Sequence, residues 1–175
     1  MIVTISGLPG SGTSTVASLL SEAMDIPVLS AGDTFRELAE EQGMNLSDFG
    51  RKAEGDHSVD KALDERMMQR AKEGDVILEG RMAGIMTDIK GIEAFRIWIS
   101  GPLLVRCQRI MERESKVLDT VMVEVKRREE SERLRYKTIY GADIRNLDVY
   151  DLVIDSSSKL PEVIVKEIMG AVDAE

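Results

Sequence analysis

The sequence predicts an α/β fold in which a parallel sheet of about five strands is flanked by helices. Short apolar segments rich in β-branched residues alternate with longer segments whose apolar residues recur at helical spacing. The first of these strands runs into a glycine-rich loop and then directly into a helix. Strands that alternate with helices indicate a parallel sheet covered on both faces. With 175 residues, 43% of them hydrophobic, the chain is long enough to bury the core of one domain.

The elements of the first half follow from local patterns. A buried strand is predicted at 2–5, and a helix at 13–24 places Val16, Leu19, Leu20 and Ala23 on one face. A second strand is predicted at 26–29. Further helices are expected at about 33–42, with Asp33 as the capping residue, at 46–53 and at 58–71.

The second half begins with a buried strand at 75–79, and another strand is predicted at 95–99. Gly101 and Pro102 separate that strand from two charged helices that extend to about residue 140. A last strand at 152–154 and an amphipathic helix at 161–169 complete the prediction.

Composition excludes several classes of protein. The net charge of −9 argues against a protein that coats a nucleic-acid polymer. Cys107 is the one cysteine, so no internal disulfide can form, and we expect it to be a small buried residue. No apolar run reaches the roughly 18 residues of a membrane span. The N-terminus has no basic leader, so we expect neither a signal peptide nor a membrane partner, and we expect a cytoplasmic location.

The glycine loop carries the clearest chemical signal. It matches the pattern G-x-x-x-x-G-K-[ST], in which backbone N–H groups and the N-terminus of the next helix bind phosphate oxygens. Ser14 stands where this pattern places a hydroxyl ligand of Mg²⁺. The residues expected to bind ATP are Gly7, Leu8, Pro9, Gly10, Ser11, Gly12, Thr13, Ser14 and Thr15.

The loop departs from the pattern at one position, because Thr13 replaces the lysine that normally contacts the β- and γ-phosphates. We expect arginines elsewhere to supply the missing charge. If they do, Thr13→Lys should change activity only modestly, whereas a large gain would mean that the native loop lacks a cation. The missing lysine also leaves open a nucleotide-binding module without catalytic activity.

A second phosphate site is suggested after the second strand, where the chain reads Ser30-Ala31-Gly32-Asp33-Thr34-Phe35-Arg36. This segment resembles the S-[TS]-G-D-x-[LF]-R segment of nucleoside monophosphate kinases. The resemblance implies that Ser30, Asp33 and Arg36 bind the acceptor monophosphate. It also implies one P-loop kinase domain with a core (1–29, 75–102 and 150–175), a helical acceptor insert (about 30–74) and a short helical lid (about 103–140).

Glu79, Gly80 and Arg81 follow the strand at 75–79. An acid at the end of such a strand can hold a Mg²⁺-bound water, so Glu79 is a candidate metal ligand together with Ser14. Gly80 and Arg81 resemble the D-G-R segment of cytidylate kinases, which implies that both contact the monophosphate. Bacterial-type enzymes continue with an aspartate involved in reading the base, whereas this chain has Met82. Candidates for base contacts are Asp56, Asp60, Lys61 and Asp64.

Arginines cluster between residues 103 and 140. Arg106, Arg109 and Arg113 are spaced along one helix face, where their mutual repulsion favours a bound anion. Further on, Arg128, Glu132 and Arg135 also share a face and resemble the R-D-x-x-D-x-x-R segment of cytidylate kinases. That resemblance implies ribose contacts from Arg128 and Glu132 and a phosphate contact from Arg135.

Together these segments resemble archaeal-type cytidylate kinases over most of the chain. The resemblance implies transfer of a phosphoryl group from ATP to CMP or dCMP, with Mg²⁺ as cofactor. We expect a monomer that binds no nucleic-acid polymer. Another monophosphate kinase, such as an adenylate kinase, stays an alternative, although this chain lacks the D-G-[FY]-P-R segment of that group. The arginines expected to act on the transferring group are Arg109, Arg113, Arg127 and Arg128.

Overall fold

The computed structural model describes residues 1–174, except for the side chain of Ser47. Residue 175, which the sequence analysis assigns to the core, lies outside the described part. The strands are β1 (Ile2–Gly7), β2 (Val28–Ser30), β3 (Val76–Glu79), β4 (Phe95–Ser100) and β5 (Leu152–Asp155). The helices are α1 (Thr13–Met24), α2 (Ala31–Glu41), α3 (Leu46–Gly55), α4 (Ser58–Ala71), α5 (Ala83–Ile89), α6 (Leu103–Glu114), α7 (Leu118–Tyr140) and α8 (Pro161–Val172).

The five strands form one parallel sheet in the order β2-β3-β1-β4-β5, which confirms the predicted fold class. Ile5 of β1 and Ser30 of β2 both lie opposite Glu79 of β3. The carboxyl ends of these three strands therefore meet at one edge of the sheet, where ligands bind in open α/β folds.

Apolar clusters cover both faces of the sheet. On one face, α1 and α8 pack Val16, Leu20 and Ile168 against the strands. On the other face, α4, α5 and α7 contribute Met67, Met86 and Tyr136. These layers place the sheet at the centre of the molecule, with its carboxyl edge left open towards the loops.

Two helical parts extend beyond these layers, with which they share α4 and α7, and each has an apolar cluster of its own. We call α2, α3 and α4 the three-helix segment, in which Leu38, Phe49 and Val59 pack together. We call α6 and α7 the helical hairpin, in which Cys107, Ile110 and Val121 pack together. Cys107 is completely buried, as expected for a structural cysteine.

The structure differs from the sequence analysis at two places. Helix α5 was not predicted, because it has only seven residues, of which the first five, including Gly84, are all buried and show no amphipathic pattern. Asp33 does not cap α2. That helix begins two residues earlier, at Ala31, and Asp33 instead pairs with Arg36, one turn further along the helix. No helix among the described residues is both long and apolar enough to cross a membrane.

Candidate active site

The glycine loop lies between β1 and α1 and lines the end of a cleft described below. Its tight turn is closed by the N–H of Ser11, which donates to the carbonyl oxygen of Leu8 at 3.1 Å. Gly10 and Gly12 have φ angles of 81° and 96°, a left-handed backbone conformation that favours glycine. The first N–H groups of α1, beginning at Thr13, have no partner within the helix and can face an anion.

The three hydroxyl groups around Glu79 explain what Thr13 does in this fold. Glu79 is buried at the end of β3, and its Oε1 accepts hydrogen bonds from Thr13 Oγ1 at 2.6 Å and Ser14 Oγ at 3.2 Å. Its Oε2 accepts one from Ser30 Oγ at 2.9 Å. Thr13, which stands in the lysine position, therefore donates a hydrogen bond to this carboxylate and helps to hold it in place.

The buried Glu132 and the largely buried Arg81 form a charged group with the exposed Arg128, between the sheet edge and α7. Glu132 accepts hydrogen bonds from Arg81 Nε and Arg128 Nε, both at 2.9 Å. Burial raises the pKa of Glu132, but the positive charges of Arg81 and Arg128 outweigh burial, so its pKa lies below the ordinary value. Glu132 is therefore ionised at neutral pH and orients two guanidinium groups.

Arg135 lies one turn further along α7 and joins the hairpin to the three-helix segment. It donates to Oδ2 of the buried Asp60 on α4 at 2.9 Å, and to Ser131 Oγ at 2.9 Å. Sequence alone gives no sign of the Asp60 partner, because the two residues are 75 positions apart.

The remaining predicted arginines lie on the surface of the same region. Arg36 is exposed and pairs with Asp33, and both line the larger of two clefts described below. Arg113 is 69% exposed at its side chain and pairs with the neighbouring Glu114. Arg127 is exposed on α7 and also faces the larger cleft.

Arg106 and Arg109 are held by the protein itself. Arg106 is buried and donates to the carbonyl oxygens of Gly101 and Pro9, and it pairs with Glu129. Glu129 balances its charge, so the arginine stripe does not require a bound anion at this position. Arg109 donates to the carbonyl oxygen of Ser156 at 2.6 Å, and more weakly to those of Gly10 and Ser11. Both arginines therefore brace the glycine loop.

Two adjoining clefts open at this edge of the sheet. The smaller, of 580 Å³, is lined by the glycine loop and by Arg109, Arg113 and Arg128. The larger, of 1410 Å³, runs between the three-helix segment and the hairpin. Ser14, Glu79, Arg81, Arg113 and Arg128 line both. The geometry thus offers two chambers that share one wall, which also carries the acids Glu114 and Glu124.

The structure separates the four residues considered for base contacts. Asp60 and Asp64 are buried and line the larger cleft. Asp56 lies outside its lining and accepts a hydrogen bond from the N–H of Ser58 at 2.9 Å, and Lys61 is an exposed residue outside it.

Two participants of the site were missed by the sequence analysis, and one predicted residue makes a contact that it did not foresee. Ser156 accepts a hydrogen bond from Arg109. Its hydroxyl group also contacts the glycine loop, because it donates to the Ser11 carbonyl oxygen at 2.8 Å. Tyr140 donates to Asp64 Oδ2 at 2.7 Å. Ser30 was predicted to bind the acceptor, but the bond from its hydroxyl group to Glu79, which joins β2 to β3, was not foreseen. All three contacts join distant parts of the chain, and no local pattern marks them.

A parallel sheet with a phosphate cradle at its carboxyl edge, adjoining a second arginine-lined chamber, defines the class of P-loop phosphotransferases. Within that class, the chain belongs to the cytidylate kinase-like family, whose model matches residues 2–158. Family membership agrees with the resemblance found in the sequence, which rested on the glycine loop and the segments around Arg36, Arg81 and Arg128.

Individual relatives cover nearly the whole chain. A cytidylate kinase of Methanococcoides burtonii is 50% identical over 175 residues, which cover 99% of this chain and 98% of that protein. A cytidylate kinase of Methanocaldococcus jannaschii is 42% identical over 174 residues, again covering 99% and 98%.

Solved structures share the fold at low identity. An uncharacterized protein from Eubacterium ventriosum superposes with a TM-score of 0.77 at 19% identity, covering 100% of this chain and 99% of that one. A shikimate kinase from Aquifex aeolicus has a TM-score of 0.60 at 22% identity, covering 99% and 97%. These likenesses concern the fold alone.

Proposed function

We propose that this protein is a cytidylate kinase, which transfers the γ-phosphoryl group of ATP to CMP or dCMP and yields ADP with CDP or dCDP. The observation that carries the proposal is the shared wall of the two clefts, where Arg81 and Arg128 lie between the glycine loop and the larger chamber. A donor and an acceptor phosphate bound on either side of that wall would be close together. The names of the relatives supply the identity of the acceptor.

The glycine loop would hold the donor phosphates. Its left-handed glycines let the backbone approach the anion, and the N-terminus of α1 adds a favourable dipole. Arg106 and Arg109 brace the loop from behind, so its N–H groups are already oriented before ATP binds. Such preorganisation stabilises charge that develops on the phosphoryl oxygens.

Ser14 and Glu79 fit a Mg²⁺ ion chemically. They present a hydroxyl and a carboxylate oxygen 3.2 Å apart, beside the phosphate cradle. Mg²⁺ prefers such hard oxygen ligands and usually adds phosphates and waters to one or two protein groups. When bound, it would neutralise charge on the phosphates of ATP. The bonds from Thr13 and Ser30 would keep the carboxylate of Glu79 directed towards it.

The acceptor would occupy the larger cleft, between the three-helix segment as acceptor insert and the helical hairpin as lid. Arg36, Arg81 and Arg135 would hold its phosphate, with Ser30, Asp33 and Gly80 close by. Arg128 and Glu132 would contact the ribose. Because Arg81 and Arg135 are buried beside Glu132 and Asp60, they are oriented before the acceptor arrives, which reduces the entropy cost of binding.

Arginines of the helical hairpin would close over the phosphoryl group that is transferred. Arg113 and Arg127 are exposed and held only by surface contacts, so they can turn towards an anion in the clefts. Arg128 is 61% exposed at its side chain and lines both clefts. Arg109 would act through the loop that it braces. These cations would neutralise developing charge and exclude water, which limits hydrolysis of ATP.

A steady-state assay across nucleoside monophosphates, with ATP and Mg²⁺, tests the proposal. We expect CMP or dCMP to give the highest kcat/KM. A higher value for AMP, UMP or shikimate would refute the cytidylate assignment, and ATP binding without transfer to any monophosphate would indicate a non-catalytic module. We also propose a cytoplasmic monomer, which light scattering of the purified protein tests for its oligomeric state.

A further inference from the structure

The larger cleft contains a buried acid that the proposed mechanism does not use. Asp64, on α4, is 8% exposed and lines the cleft. Its Oδ2 accepts a hydrogen bond from the hydroxyl of Tyr140 at 2.7 Å. Within residues 1–174, its Oδ1 has no hydrogen-bond donor from the protein and, unlike a fully buried atom, is accessible from the cleft. This oxygen can therefore contact a ligand that enters the cleft.

The surroundings of Asp64 favour its protonated form. Burial raises its pKa to about 7, and Asp60 on the same helix raises it too, whereas the Tyr140 hydroxyl and the more distant Lys90 lower it. Tyr136, the other titratable group of α7 near Asp64, is a buried phenol whose pKa is also raised, mainly by burial. Asp60 itself is paired with Arg135. A carboxyl group that keeps its proton near neutral pH can donate a hydrogen bond as well as accept one.

The position of Asp64 suits the base of a bound nucleotide. Asp60 and Asp64 are one helical turn apart, on one face of α4, so their side chains are separated by about 6 Å. Asp60 holds Arg135, which we assign to the acceptor phosphate. A base attached to that phosphate would extend along the same face. Phe35, Leu63 and Met82 line the cleft as well and offer apolar contacts to a flat ring.

We propose that Asp64 is the residue that reads the cytosine ring, with its Oδ1–H donating to N3 and its Oδ2 accepting from the exocyclic amino group. Tyr140 is the positioning residue, because a hydroxyl that donates to Oδ2 leaves the proton of the acid on Oδ1. The proposal rests on the proposed function and assigns the base contact within it. It also explains how the chain reads the base although Met82 has no polar group to offer.

The arrangement discriminates between the two pyrimidines. Cytosine presents an acceptor at N3 beside an amino donor, which complements a carboxylic acid with a fixed proton. Uracil presents N3–H to the Oδ1–H donor and a carbonyl oxygen to the Oδ2 acceptor, so both pairs repel. A site built to hydrogen-bond one pattern rejects a ligand that leaves its buried polar groups unpaired.

Equilibrium binding of CMP, UMP and 3-deaza-CMP, without ATP, tests this assignment. The deaza analogue keeps the amino group and the phosphate but lacks the N3 acceptor. We expect the wild-type protein at about pH 6 to bind CMP at least about tenfold more tightly than 3-deaza-CMP or UMP. The ratio of CMP to 3-deaza-CMP affinity should fall at about pH 8.5, where Asp64 has lost its proton. Because both ligands carry the same phosphate, the effect of its titration on affinity is the same for both and does not change the ratio.

Three variants separate base reading from a structural role. Asp64→Ala should bind CMP and 3-deaza-CMP equally. Asp64→Asn, which is isosteric and whose amide can donate at any pH, should keep a preference for CMP and lose its pH dependence. Tyr140→Phe should reduce discrimination against UMP more than affinity for CMP. Glu65→Gln, an exposed neighbour on α4, is the matched control and should behave as wild type.

Two results would overturn the assignment: equal binding of CMP and 3-deaza-CMP by the wild type, or an unchanged preference in Asp64→Ala. Thermal unfolding of each variant verifies that it is folded. A wild-type protein that phosphorylates no cytidylate would refute the proposed function. A selective cytidylate kinase whose Asp64 variants keep their preference would refute the base contact alone.

Discussion

At the scale of single residues, Thr13 alters the chemical groups that the glycine loop offers to a nucleotide. Its hydroxyl is bonded to Glu79, so the side chain in the lysine position supports a carboxylate and supplies no positive charge. Arg81 and Arg113 line the same cleft and offer charge from outside the loop. The departure from the usual pattern is thus accompanied by cations nearby.

This geometry makes Thr13→Lys a sharp test. A lysine would pair with Glu79 and compete with a metal ion for that carboxylate. We therefore expect kcat to change by no more than about tenfold, with a higher Mg²⁺ concentration needed for half-maximal activity. Thr13→Ser, which keeps the hydroxyl, is the control and should resemble wild type. A large gain in kcat would show that the native loop is short of a cation.

Arg81 is the residue whose removal should cost most on the acceptor side. It is largely buried, and Arg81→Ala would leave Glu132 with one of its two guanidinium partners. We expect the loss in kcat/KM for CMP to correspond to about 2–5 kcal/mol. Arg145→Ala removes an exposed arginine that pairs with Asp143, and should leave kcat/KM unchanged. No measurable loss in Arg81→Ala would remove this residue from the site.

At the scale of elements, α6 acts as a support for the loop between β1 and α1. Arg106 reaches from α6 to the carbonyl oxygen of Pro9 at 3.0 Å and balances its charge with Glu129 on α7. The helical hairpin is therefore attached to the glycine loop through Arg106, whereas Arg113, two turns further along α6, is exposed.

Breaking that support should affect stability and donor binding together. Arg106→Ala leaves Glu129 and a loop carbonyl without their partner, so we expect the free energy of unfolding to fall by about 3–5 kcal/mol. Denaturant unfolding measures this loss. ATP affinity should fall too, because the loop is no longer preorganised. Glu112→Ala, at an exposed position of the same helix, should do neither. A stable Arg106→Ala protein would contradict the bracing role.

At the scale of the whole molecule, two buried acids shift stability in opposite directions with pH. The pKa of Glu132 is lowered from an ordinary 4.5, so its contribution to stability is present above that value and is lost as pH falls. The pKa of Asp64 is raised from 3.8 to about 7, so its contribution is present below 3.8 and is lost as pH rises to about 7. Together they favour maximal stability at mildly acidic pH.

Asp64→Asn should remove only the pH dependence of stability that is due to Asp64. The shift from 3.8 to about 7 spans about 3 units at about 1.4 kcal/mol each, so the variant should gain on wild type by up to about 4 kcal/mol as pH rises from 4 to 8. Urea unfolding across that range measures the difference. A constant difference between the two proteins would mean that Asp64 has an ordinary pKa in the folded state.

The sequence predicted features that depend on neighbouring residues, and it did not predict contacts between residues that are far apart in the chain. The sheet, the glycine loop and the strand that ends at Glu79 were foreseeable because each has a short, periodic signature. Helix α5 was not, since it is short and its first five residues are all buried. The pairing of Arg135 with Asp60, and of Tyr140 with Asp64, depends on how α7 crosses α4, which no single segment encodes. The catalytic assignments of the arginines stay predictions.

The separate apolar cluster of the three-helix segment has a consequence for how such proteins diversify. Leu38, Phe49 and Val59 pack mainly with one another, so substitutions among them leave the layers around the sheet largely untouched. The segment that we propose as the acceptor insert can therefore accumulate mutations without unfolding the sheet and the glycine loop. A fold divided in this way can keep one ancestral chemistry while its descendants exchange one substrate for another.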